Sequence, residues 1–149
     1  MILARLRRLL SSEQDSAIKQ SEVDARLACA ALLLEVSRSD GSHGPEEKAA
    51  IWHLLERGFS LSERELRTLF DQALEVSEEA SDLFAFTSVA KKNLNQDQKV
   101  ALVRGLWQVA YADGTLDPEE EGVIRKVSEL LYVSHGDYIQ AKLAAQPSQ

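Results

Sequence analysis

Apolar residues recur along this chain at helical spacing, and two stretches have scarcely any polar face. Leu27 to Leu34 is unbroken apolar sequence, and Val100, Leu102, Val103, Leu106, Trp107, Val109 and Ala110 crowd the second. A helix that is apolar on all sides belongs inside a bundle, so these two are expected to be central and to pack against each other. Ordinary amphipathic stripes surround them: Ala50, Ile51, Leu54 and Leu55; Leu66, Leu69, Phe70, Ala73 and Leu74; Val123, Ile124, Val127, Leu130 and Leu131. Leu83, Phe84, Phe86, Thr87 and Ala90 read as a shorter helix ending near Lys91-Lys92-Asn93. No stretch shows strand alternation, and the pattern predicts an all-α domain of about seven or eight helices.

Helix starts are marked by capping residues three positions apart: Ser21 with Asp24, Ser62 with Glu65, Asn95 with Gln98, Ser134 with Asp137. Each pair places a side-chain oxygen where it can satisfy an orphan N–H of the first turn. The helix opened by Ser21 is expected to run to about Arg38, and Pro45 to open one that ends at Gly58. The acidic run Glu75–Asp82 is expected to break the pattern, and Tyr138–Ala145 is the last helix. This divides the chain into an N-terminal arm (1–20), a helical domain (21–145) and a tail (146–149).

The domain looks duplicated. Sliding the chain by 73 residues superposes Asp40 on Asp113, Gly41 on Gly114, Pro45 on Pro118, and Glu46-Glu47 on Glu119-Glu120. Over Ala28–Arg57 against Ala101–Leu130, ten of thirty positions are identical, Leu33/Leu106 and Ile51/Ile124 among them. Such self-similarity predicts two helix–loop–helix repeats, about 23–76 and 96–145, around the two central apolar helices.

Charge and composition narrow the partners. A net charge of −7 argues against nucleic acid, which needs a basic face, and suits cations or basic protein surfaces. Cys29 is the only cysteine, so no internal disulfide or cysteine zinc cage can form; inside the run Leu27–Leu34 it reads as a buried, inert thiol. No apolar run approaches the roughly 20 residues of a membrane span, and Arg7 and Arg8 interrupt what would be a signal peptide, so a cytoplasmic location is expected. In Met1–Leu10, Ile2, Leu3, Leu6, Leu9 and Leu10 share a stripe with Arg5, Arg7 and Arg8 off it. This amphipathic arm docks on the domain or on a second copy, or else lies on a membrane surface; the first reading is preferred, because one short helix binds membranes only marginally.

The two Asp-Gly stretches hold the candidate chemistry. Asp40 and Asp113 are expected in the last turn of a helix, where the macrodipole disfavours negative charge. Gly41 and Gly114 are expected to supply the left-handed stop. Such a carboxylate accepts hydrogen bonds from nearby N–H groups, or it binds a cation. The second stretch offers Asp113, Asp117, Glu120 and Glu121 as hard oxygen ligands; the first offers Asp40, Glu46 and Glu47, with Ser42 and His43 beside them. Gly44 stands in the first where Asp117 stands in the second, so the second is expected to be the stronger site. Neither is an EF-hand, because the alternating ligands and the spacing are absent. The same acids are also what ordinary helix N-termini carry, so capping and metal binding both remain open. His43, His53 and His135 are scattered, and neither a nucleophile–base spacing nor a phosphate loop occurs, so no catalysis is expected.

The run Val-Ser-Arg-Ser-Asp-Gly followed by Glu-Glu, then Leu-Trp-Gln-Val-Ala-Tyr-Ala-Asp-Gly-Thr-Leu-Asp-Pro-Glu-Glu-Glu and Leu-Leu-Tyr-Val-Ser, resembles the TerB family from about Ala25 to Lys142. The resemblance implies a duplicated all-helical domain, linked to tellurite resistance and stress response, whose loop acids chelate a divalent cation. Carried onto this chain, the ligands it implies are Asp40, Glu46 and Glu47, then Asp113, Asp117, Glu120 and Glu121. The cation would be calcium, magnesium, manganese or zinc. A protein partner or a homo-oligomer is the expected assembly.

Overall fold

A computed structural model describes residues 17–38, 44–79 and 82–147. Seven helices occupy them: α1 (Ala17–Arg38), α2 (Pro45–Phe59), α3 (Glu63–Glu79), α4 (Phe84–Asn93), α5 (Gln96–Ala110), α6 (Pro118–Leu130) and α7 (His135–Ala145). No strand occurs among the described residues. The arm Met1–Leu10, Asp40, Gly41 and His43 lie outside them.

The two apolar helices are the centre. α1 packs against α2, α3, α4, α5 and α6, while α5 meets α1, α2, α6 and α7. Leu27, Ala28, Leu32, Leu34 and Val36 of α1 have no exposed surface, nor do Val103, Leu106, Trp107 and Val109 of α5. Helices ringing a pair of this kind need only one apolar stripe each, which is what their sequences carry.

Several boundaries differ from the sequence reading. Helix α1 is already formed at Ala17, so Ser21 is inside it rather than at its cap, and Asp24 is buried, accepting from Gln20 Nε2 at 3.0 Å. Nothing in Ala17-Ile18-Lys19-Gln20 breaks a helix, and a capping residue is tolerated within one. Helix α3 continues through the acidic run to Glu79, because Val76 and Ser77 are buried and tie it to α1. There the Ser77 hydroxyl donates to Glu35 Oε2, and Arg38 Nη1 donates to the Ser77 carbonyl at 3.0 Å. Helix α5 stops at Ala110, three residues before Asp113.

The other caps are as expected, with α7 beginning at His135 rather than Tyr138. Ser62 and Glu65 exchange both capping bonds, at 2.9 and 3.2 Å, and Asn95 and Gln98 both at 2.8 Å. Ser134 Oγ accepts from Asp137 N at 3.1 Å. Helix α7 is fastened to α5 by aromatic contacts, Trp107 and Tyr138 lying with ring centroids 5.3 Å apart.

Candidate functional site: the acidic helix entrances

Pro45 and Pro118 each open a helix at a position where a missing N–H costs nothing. Two residues further on, at the third helical position, stand Glu47 and Glu120, 73 residues apart. Both are buried, with 3% and 1% of their surface exposed. An acid at this position normally reaches back from a solvated surface to the cap N–H. Here the carboxylates do so from inside the protein.

At the first entrance Gly44 N donates to Glu47 Oε1 at 3.0 Å, and the Ser37 hydroxyl at the end of α1 donates to the same oxygen at 3.1 Å. The other oxygen, Oε2, is buried and meets no hydrogen-bond donor among the described residues. Gly44 has no side chain to return the bond, so this entrance keeps only half of a capping box. Glu46 is exposed beside it.

The second entrance carries the complete capping box. Asp117 N donates to Glu120 Oε1 at 3.2 Å, and Asp117 Oδ1 accepts from Glu119 N at 2.8 Å. Glu121 pairs with Lys142 of α7 at 3.7 Å. Asp113 is exposed, and its Oδ1 accepts from Thr115 N at 3.1 Å and from the Thr115 hydroxyl at 3.3 Å. Because α5 ends at Ala110, Asp113 lies in the connecting turn rather than in the last turn of the helix. Gly114 does adopt the left-handed conformation, φ 93°, but closes a turn onto Tyr111 O rather than the helix itself.

Among the described residues, no three His, Cys, Asp or Glu side chains gather as one metal-ligand group. Each acid of the second entrance instead takes up a local hydrogen bond or ion pair, and Asp40 lies outside the described residues. Sequence reasoning missed two partners. Ser37, ten residues upstream of Glu47, and Lys142, on a different helix from Glu121, lie beyond any local spacing rule.

Burial pushes the Cys29 thiol up to about 12, as expected of an inert cysteine. His53 is exposed, 3.9 Å from Glu56, and His135 stacks on Tyr138. No helix among the described residues is long and apolar enough to cross a membrane.

The family model described as tellurite resistance protein TerB matches residues 26–143. Searches of curated proteins and of solved structures give no match.

Proposed function

The chain belongs to the TerB family of tellurite resistance proteins, and from that premise we propose that it is a non-catalytic module that binds a divalent cation at its acidic helix entrances. The observation that carries this reading is the Glu47 carboxylate, buried with one oxygen lacking a donor among the described residues. A buried carboxylate left partly uncompensated is costly, and a cation is the partner that a hard oxygen accepts most readily. Glu47 would be the inner ligand, with Glu46 at the same entrance and Asp40 as its companion from the preceding Asp-Gly stretch. Asp113, Asp117, Glu120 and Glu121 would form the second ligand set. The cation would be calcium, magnesium, manganese or zinc, and tellurite resistance or a related stress response is the setting the family suggests.

A second reading is supported by the local partners of Asp113, Asp117 and Glu121: acids that only cap and brace a metal-independent interaction domain, binding a protein partner or a second copy. Thermal melts separate the two. After EDTA treatment, one of the four cations should raise the melting temperature; a 100-fold excess over Kd corresponds to roughly 2.7 kcal/mol. Glu47→Gln keeps an acceptor toward Gly44 and Ser37 but removes the charge. It should lose the cation-dependent gain while melting in EDTA at least as high as the parent. A response kept in Glu47→Gln and lost in Asp113→Asn would place the cation at the second entrance instead. No response to any of the four at millimolar concentration would leave the interaction domain as the function.

A further inference from the structure

Away from the acidic entrances, helices α2 and α5 part to leave a cleft of about 690 Å³ with α1 beneath it. Its floor is apolar and buried: Cys29 and Leu33 of α1, Leu55 of α2 and Leu102 of α5. The size lies within the roughly 300–1,000 Å³ of small-molecule sites.

The opening has a cause in the sequence. Gly58 and Gly105 face the cleft, and the 73-residue offset pairs them with Leu131 and Leu32. Both leucines are fully buried. At Gly105 a built Cβ would already touch Leu54 and Leu33 at 3.6 and 3.7 Å, so the room lies at Gly58. A Cβ built on Gly58 meets nothing within 4 Å, so this space is open rather than occupied by a tightly packed neighbour.

The rim is basic. Arg57 and Arg104 line the same cleft, both are exposed, and neither is paired with a carboxylate among the described residues. In a chain of net charge −7, two arginines without acid partners beside an apolar floor are a local reversal of sign. Guanidinium groups favour carboxylates through charge-assisted hydrogen bonds, while the floor accepts only hydrocarbon. We propose that the cleft between α2 and α5 binds a single-chain amphiphilic carboxylate of the fatty-acid type. Its tail lies on Leu33, Leu55 and Leu102, and its head lies at Arg57 and Arg104.

The test is calorimetric titration of the full chain with monomeric sodium decanoate, with decanol as the neutral control. Decanoate should bind saturably and decanol at least about tenfold more weakly, the loss of a charge-assisted contact being of that size. The double variant Arg57→Gln/Arg104→Gln should weaken decanoate by a similar factor and leave decanol unchanged. Gly58→Leu, which supplies the side chain found at the offset position, should abolish binding of both while its melting temperature holds or rises. Three results would each overturn the proposal: no decanoate binding below its micelle concentration, equal affinity for decanol, or undiminished binding in a folded Gly58→Leu protein.

Discussion

The Ser37 hydroxyl at the end of α1 donates to Glu47 Oε1 at 3.1 Å, joining the central helix to the entrance of the next across ten residues of sequence. The bond is buried, and it shares its acceptor with Gly44 N. Ser37→Ala should therefore lower stability by about 0.5–1.5 kcal/mol, the net worth of one hydrogen bond. Glu47→Ala should cost more, because Gly44 N and Ser37 Oγ would both lose this acceptor. Chemical denaturation of the two variants and their double mutant checks this. Strictly additive effects would mean that the bond contributes nothing to coupling α1 and α2.

Leu33 and Leu106, paired by the 73-residue offset, are both buried, at 3% and 0% exposure. Either one changed to Ala should cost about 2–5 kcal/mol. Leu33 borders the cleft, so less packing surrounds it and its loss should be the smaller. Near-parental denaturation midpoints in both variants would remove α1 and α5 from the centre of the core.

Ser60 follows α2 in the left-handed conformation, φ 53°, with its N–H bonded to Glu56 O. A side chain there pays about 1 kcal/mol that glycine avoids. Ser60→Gly should accordingly be more stable than Ser60→Ala by about that amount, the reverse of the order inside a helix. Tyr132 shares the conformation, φ 62°, but Lys91 Nζ sits 3.9 Å from its ring centroid. Tyr132→Gly should gain less, since a cation–π contact of about 0.5–1 kcal/mol at an exposed site is lost with the ring. Paired thermal melts measure all three, and an alanine-over-glycine order at position 60 would contradict the left-handed backbone.

Hydrogen bonds from the Ser62 backbone, and then from its hydroxyl, hold the Glu65 carboxyl below the ordinary glutamate value. A group whose pKa is depressed by folding contributes stability that is present above its unfolded pKa. That contribution is lost as pH falls through the folded value. It should thus be intact at neutral pH and disappear in the acid range below the unfolded glutamate value of about 4.3. Ser62→Ala should move the Glu65 titration part of the way back up, because the backbone donor remains. Carboxyl carbon shifts followed by NMR against pH report both, and a Glu65 that titrates above the ordinary value would rule out the capping bond.

The helices were legible in the sequence because their causes are local. Apolar spacing, Pro45 and Pro118 at first positions, and the pairs Ser62–Glu65 and Asn95–Gln98 act over one turn, so they hold wherever the helix is placed. The central rank of Leu27–Leu34 and Val100–Ala110 was legible for a similar reason: helices this rich in apolar residues are stable only when most of their surface is covered, and α5 leaves just Ala101, Arg104 and Gln108 exposed along that stretch. What only the tertiary structure decided lies between helices. The burial of Val76 and Ser77 against α1 carries α3 through an acidic run where the apolar pattern breaks. The early stop of α5 places Asp113 in the connecting turn, where it accepts from Thr115. Glu47 reads as one more first-turn acid until Ser37 arrives from the preceding helix and its carboxylate is enclosed. Gly58, Gly105, Arg57 and Arg104 carry no shared motif, because a cleft is defined by what neighbouring helices fail to fill, and that depends on side chains brought together from separate parts of the chain.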